Sequence, residues 1–156
     1  MKDWLLKKLF KNFGRVDQII RSGQPGVIKL RIMYALFGFK SVINLAWAPG
    51  QDKDDNKEMS FCFKRHIRYL GFPFGAGGPY PYTQAALEII DLIDTLPRPV
   101  WIHCEGGKDR TDGIVMRWMF RKYYPREKVF EQVRQLKVPA EGWLIWAMEE
   151  LDEFTP

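Results

Sequence analysis

Nine consecutive residues, His103-Cys104-Glu105-Gly106-Gly107-Lys108-Asp109-Arg110-Thr111, set a thiol, a guanidinium, a hydroxyl and two carboxylates within one short stretch. Apolar Val100, Trp101 and Ile102 lead into it, and Ile114, Val115, Trp118 and Met119 follow at helical spacing. The pattern predicts a strand, a glycine turn and a helix. Such a turn aims backbone N–H groups and the positive end of a helix dipole at one point, where a phosphate dianion fits. Cys104 then stands at the mouth as nucleophile. The thiolate is the reactive form of cysteine, and helix N-termini and neighbouring cations favour it. Arg110 grips two phosphate oxygens in a planar fork. Gly106 and Gly107 let the backbone curl and approach the ligand closely. Glu105, Lys108 and Asp109 complete the loop around the phosphate. Thr111 donates its hydroxyl to the sulfur and helps it leave in a second step. His103 supports the loop from behind, since a thiolate needs no base.

The order His-Cys, five residues, Arg, Thr resembles the signature of the cysteine-dependent protein tyrosine phosphatase superfamily. A second stretch, Arg21-Ser22-Gly23-Gln24-Pro25, is similar to the segment that opens many small, atypical dual-specificity phosphatases. Val42-Ile43-Asn44-Leu45 is similar to their next strand. The likeness spans residues 12 to about 135. It implies a phosphomonoesterase that works through a phosphocysteine at Cys104 on a phosphorylated substrate, a phosphoprotein or a small phosphate ester.

Two departures from that superfamily bear on mechanism. Its members usually carry a general-acid Asp on the loop after the third strand, to protonate the departing oxygen. Residues 69–87 here contain no Asp or Glu. Asp109 is the expected replacement; myotubularin-type and Sac-type phosphatases show a similar Asp-Arg-Thr ending. The competing role for Asp109 is a structural carboxylate that orients Arg110 or caps the helix. Asp52, Asp54, Asp55 and Glu141 are further acids that the fold would have to deliver. Asp112 stands where the superfamily usually has Gly, and its charge suits a helix start. Glu105 and Asp109 also make the loop less basic than those that hold multiply phosphorylated inositols, with Lys108 a partial offset.

Composition narrows the setting. The 156 residues suit one domain, a phosphatase domain over 1–156. No apolar run nears the ~20 residues that cross a bilayer. Two cysteines exclude a disulfide framework, and a reactive thiol suits a reducing, cytoplasmic compartment. Cys62 reads as a small inert hydrophobe; its other reading is a redox partner that protects an oxidised Cys104 as a disulfide. Two His and two Cys at these spacings make no metal cluster, so neither metal nor cofactor is expected. Net charge +5 favours anionic substrates. Residues 1–13 read as a short amphipathic helix, Leu5, Leu6, Leu9 and Phe13 against Lys7, Lys8 and Lys11. Packing on the domain and contact with a membrane surface are its two readings. A monomer is expected.

The elements that must position the loop follow from periodicity. Strands are predicted over Val16–Arg21, Ser41–Ala46, Ile67–Phe72 and 100–104. Helices are predicted from Pro25 toward Phe37, ended by Gly38; from Thr83, with Ile89, Leu92, Ile93 and Leu96 on its core face; and after the loop, up to Pro125. Val129, Val133 and Leu136 mark another helix, and Leu144, Ala147, Met148 and Leu151 the last. The stripe of Trp143, Trp146 and Phe154 reads as core or groove lining. Pro49–Lys57 reads as a solvated acidic loop. Gly71–Pro81, rich in Gly, Pro and aromatics, reads as a loop at the substrate entrance. Alternating strands and helices imply a three-layer α/β sandwich with a mostly parallel sheet of four to five strands, the site lying at the carboxyl end of a central strand.

Other functions fit part of the pattern. An RNA 5′-triphosphatase, with RNA as substrate, needs no general acid because phosphate is a good leaving group. An inositol phosphate or phosphoinositide phosphatase would use the same fold. A rhodanese-type sulfurtransferase also cradles a cysteine, but the Arg110-Thr111 ending and the Arg21–Pro25 segment disfavour it. An inactive phosphate-binding module would not need Cys104, Arg110 and Thr111 together.

Overall fold

A computed structural model describes residues 3–46, 53–134 and 141–153. The chain forms two compact units, each built from two segments: Met1–Pro73 with Leu96–Gly107, and Phe74–Thr95 with Lys108–Pro156.

The first unit holds a five-stranded mixed sheet. Its strands are β1 (Gly14–Val16), β2 (Ile19–Gly23), β3 (Ser41–Asn44), β4 (Arg68–Gly71) and β5 (Val100–Cys104), in the order β1-β2-β5-β3-β4. Only the β1–β2 pair is antiparallel; β2–β5, β3–β5 and β3–β4 are parallel. The α/β class with a mostly parallel sheet is thus as expected. Strands β2, β3 and β5 are buried along their whole length, and their apolar residues stand next to one another (Ile19-Ile20, Val42-Ile43, Val100-Trp101-Ile102) rather than alternating. The stretch predicted as one strand, Val16–Arg21, is instead a hairpin corner. Asp17 turns the chain at a φ of 50°, so Val16 closes β1 and Ile19 opens β2.

Three helices belong to this unit: α1 (Asp3–Leu9), α2 (Val27–Phe37) and α3 (Lys53–Phe63). Gly38 caps α2 in the left-handed region, and its N–H bonds the Tyr34 carbonyl. The predicted Pro25 start lies two residues early. Helix α1 packs inward through Leu6 and Phe10; Leu5, assigned to the apolar face from sequence, is exposed. One core cluster joins Leu6, Phe10 and Phe13 to Leu30 and Met33 of α2, Phe61 and Cys62 of α3, and Trp101 of β5.

Within the stretch Pro49–Lys57, expected to be a solvated loop, helix α3 corrects the expectation over Lys53–Lys57; residues 49–52 lie outside the described residues. The helix begins within the acidic run, and Glu58, Phe61 and Cys62 fall on its buried side. Asp52 lies outside the described residues, as do the side chains of Asp54 and Asp55.

The second unit is helical: α4 (Thr83–Thr95), α5 (Asp109–Arg121), α6 (Arg126–Arg134) and α7 (Glu141–Glu153). Helix α5 lies at its centre, with Thr111 through Phe120 all buried. Trp143 and Trp146 of α7 are fully buried, as the core reading held, their rings edge to face at 5.6 Å. Gly113 leaves room for Trp143: a Cβ there would stand 2.7 Å from the indole. Arg117 is buried on α5 and donates from Nε to Glu150 of α7 at 2.7 Å, and Arg121 Nε reaches the other oxygen of Glu150 at 3.0 Å. Phe154, Leu136 and the side chains of Val133, Glu141 and Leu151 lie outside the described residues.

Candidate active site

Strand β5 is the middle strand of the sheet and ends at Cys104. Alternation along it sends Trp101 and His103 to one face and Ile102 and Cys104 to the other. The thiol therefore sits where the strand stops and the loop begins, and it is buried.

The loop after Cys104 is shaped from outside. Asn12, at a φ of 51° before β1, donates its side-chain amide to the Gly106 carbonyl at 2.8 Å. The Gln24 N–H donates to the Glu105 carbonyl at 3.3 Å. A trans peptide holds its C=O and N–H antiparallel. Drawing those two carbonyls outward therefore turns the N–H groups of Gly106 and Gly107 inward. The Gly107 N–H indeed points at Cys104 Sγ, 3.2 Å away. Gly107 has a φ of 69°, and a Cβ there would meet the Gly23 nitrogen at 2.1 Å, so no other residue fits. The Arg21–Pro25 stretch is thus the outer wall of the loop. Within that wall Ser22 accepts from the Trp101 indole N–H at 3.0 Å, and Ser22 and Gly23 lie against Gly107.

His103 is fully buried behind the loop. Its Nε2 lies 2.7 Å from Glu58 Oε1, and its ring stacks on Trp101 with centroids 4.3 Å apart. Glu58 is buried too, and Gln24 Nε2 donates to its second oxygen at 3.4 Å. One carboxylate thereby holds both the residue before Cys104 and the residue that draws Glu105 outward. Neither Glu58 nor Asn12 was singled out from sequence. Glu58, Phe61, Cys62 and Arg65 at helical spacing were the available signal for the first; for the second there was none.

In the second unit, Asp109 begins α5 and is half-buried, with Asp112 buried in the same turn. Lys108 is the N-cap residue and makes no side-chain capping bond. Arg110 Nη1 donates to the Phe74 carbonyl at 3.0 Å. Arg110 Nε and Thr111 Oγ1 are buried and have no hydrogen-bond partner among the described residues. A buried guanidinium donor without a partner is costly, and an anion relieves that cost. Phe74 is itself buried and packs edge to face on Trp143, whose indole N–H donates to the Gly75 carbonyl at 3.0 Å. Tyr80 and Tyr82 are exposed, and the Tyr80 hydroxyl donates to Glu149 at 2.9 Å, which raises its pKa.

No protein-family profile matches the sequence, and no characterised protein matches it at the sequence level. Solved structures do match. Tk-PTP in its active form is 22% identical, with 88% of this chain and 91% of that one aligned at a TM-score of 0.65. The core catalytic domain of the PP-IP phosphatase SIW14 from S. cerevisiae is 20% identical over 90% and 85%, TM-score 0.66. TpbA of P. aeruginosa is 16% identical over 93% and 86%, TM-score 0.66. The fold is shared with solved phosphatases. At these identities the likeness carries the architecture, and the chemistry rests on the residues.

Cys62 is buried in the core cluster, and burial, with Glu58 nearby, pushes its thiol up to about 12. It remains protonated at neutral pH, which favours the inert reading over that of a redox partner. No helix among the described residues is long and apolar enough to cross a membrane.

Proposed function

We propose that this chain is a metal-independent phosphatase that hydrolyses phosphomonoesters through a phosphocysteine. The observation that carries the reading is the loop clasp: Asn12 and Gln24 draw two carbonyls outward, and the Gly107 N–H is directed at Cys104 Sγ. Backbone donors fixed before substrate arrives stabilise developing negative charge without reorganising. In the first step the Cys104 sulfur attacks phosphorus and the P–O bond to the leaving group breaks. Arg110 holds two of the remaining oxygens, using the Nε donor that has no other partner among the described residues. Asp109 gives its proton to the departing oxygen. In the second step water attacks phosphorus, the S–P bond breaks with Thr111 donating to sulfur, and the proton of the water returns to Asp109. Glu105, Gly106, Gly107 and Lys108 line the phosphate, and His103 holds the strand end.

Cys104→Ser should abolish turnover while vanadate still binds, since a hydroxyl is far less acidic than a thiol. Rapid acid quench of the wild type should trap phosphate on Cys104. Turnover surviving in Cys104→Ser, or loss of activity with a chelator, would refute the mechanism. Asp109→Asn should slow phenyl phosphate far more than nitrophenyl phosphate, within the 10²–10⁴ that proton transfer supplies. Equal slowing would assign Asp109 a structural role.

A second reading is favoured by one observation: residues 69–87 hold no acid. A phosphoanhydride needs none, because its leaving group is phosphate. SIW14 is named a PP-IP phosphatase, whereas a variant of TpbA was crystallised with pTyr. A phosphate-release screen over phosphotyrosine peptides, inositol pyrophosphates and triphosphate-ended RNA separates the readings.

A further inference from the structure

Helix α2 is apolar on every side: among its eleven residues, VIKLRIMYALF, only Lys29 and Arg31 are charged. A helix of that kind belongs in an interior. Leu30 and Met33 do face the core, but Ile28, Ile32 and Leu36, every fourth residue, form the opposite stripe. These three are 77%, 36% and 43% exposed. At 100° per residue Lys29 and Arg31 flank that stripe, one on each side. On α1 the exposed side carries Trp4 and Leu5, with the Lys8 ammonium 4.9 Å from the centre of the Trp4 ring.

Two cavities open beside the start of α2. One, of about 590 Å³, lies between the end of α1 and α2 and is lined by Lys11, Ile28, Lys29 and Lys57 among others. The other, of about 340 Å³, lies between α2 and α3 and is lined by Arg31, Lys57, Lys64 and Arg65. No acidic side chain among the described residues lines either one. Charge over the whole unit agrees. Residues 1–73 and 96–107 contain 15 of the 24 Lys and Arg but only 7 of the 19 Asp and Glu.

From this juxtaposition we infer that the α1–α2 face docks on an anionic lipid surface. Ile28, Ile32 and Leu36 enter the acyl boundary, and the flanking cations take lipid phosphates in the two cavities. The combination selects the occupant. A free polyanion would use the cations but not the exposed aliphatic stripe. A second copy would use the stripe but bring one strongly basic face against another. A bilayer rich in anionic lipid satisfies both features. Gln24, whose N–H holds the Glu105 carbonyl, also lines the first cavity, but vesicle binding is read without turnover, so the test does not depend on the phosphatase reading.

The test is sedimentation of the full chain with vesicles of phosphatidylcholine, alone or mixed with phosphatidylserine. The protein should pellet with the mixed vesicles only, and added salt should weaken it. Ile28→Gln with Ile32→Gln, and separately Lys29→Gln with Arg31→Gln, should each weaken binding by on the order of tenfold. Unchanged melting temperatures would show that both variants remain folded. Absence of binding to mixed vesicles, or binding that neither pair alters, overturns the inference. So does capture of inositol hexakisphosphate or polyglutamate without vesicle binding, which would assign the face to a soluble anion or an acidic protein. A dimer dispersed by the Ile pair, again without vesicle binding, would assign it to a second copy.

Discussion

Among the described residues Arg110 is tethered through Nη1, which is committed to the Phe74 carbonyl, while Nε is buried without a partner there. Lysine carries all its donors on one nitrogen and lacks the planar fork, so Arg110→Lys should lose nearly as much kcat as Arg110→Ala, about 10²–10³. A Lys variant within a few-fold of wild type would reduce the contact to a point charge. Glu58 acts through other residues. Removing it leaves His103 buried beside a vacated carboxylate and releases Gln24 from its side-chain partner. Glu58→Ala should cost about 1–3 kcal/mol of stability and slow turnover, whereas Glu58→Gln should keep part of both. Thermal melting read beside the kcat and KM of each variant checks this. A fall in melting temperature with kcat intact would confine Glu58 to the fold.

At the scale of elements, the segment after β4 divides its aromatics between two tasks. Phe74 is packed on Trp143 and holds the carbonyl that receives Arg110, so Phe74→Ala should cost about 3–5 kcal/mol. Tyr82 is exposed, so Tyr82→Ala should shift stability by no more than about 0.5 kcal/mol while altering the ranking of phosphopeptide substrates. Chemical denaturation and a substrate panel separate the two outcomes. Helices α5 and α7 are joined by a buried charge pair, and Glu150→Ala would leave Arg117 with the part-exposed Glu149, 3.4 Å away, in place of its buried acid. Breaking such a pair from one side costs about 3–5 kcal/mol, measurable as a lowered denaturation midpoint. Sequence carried the strand–loop–helix around Cys104 because three apolar residues, two glycines and a helical repeat all agree there. It did not carry α3, because the acidic run at its start outweighs the helical spacing of Glu58, Phe61, Cys62 and Arg65, which is short and mixes a carboxylate with apolar residues. Nor did it carry the hairpin at Asp17, where a non-glycine residue adopts a left-handed turn. Asn12 was out of reach for a different reason: its partner is a backbone carbonyl 94 residues away, and no side-chain type announces that contact.

For the molecule as a whole, Cys62 sets an alkaline limit. Its thiol is raised from 9.0 to about 12 in the folded state. Above pH 9 the unfolded chain sheds that proton while the folded chain keeps it. Stability is therefore full below 9 and falls as pH climbs toward 12, by up to about 1.4 kcal/mol per pH unit from this one group. The wild type should lose stability between pH 9 and 12 more steeply than Cys62→Ala, as urea titrations across that window would measure; parallel slopes would contradict the assignment. The strand order has a consequence for how the chain reaches this state. Strands β2 and β3 are not neighbours; each pairs with β5, which lies between them and is made last. As the chain emerges from a ribosome, the β1–β2 and β3–β4 ribbons have no seam to join until residues 100–104 arrive. Sheet closure waits on the strand that carries Cys104, so a nascent chain stopped before Val100 leaves the inner edges of β2 and β3 unpaired and lacks Cys104. In this topology the keystone of the sheet and Cys104 are delivered in the same five residues.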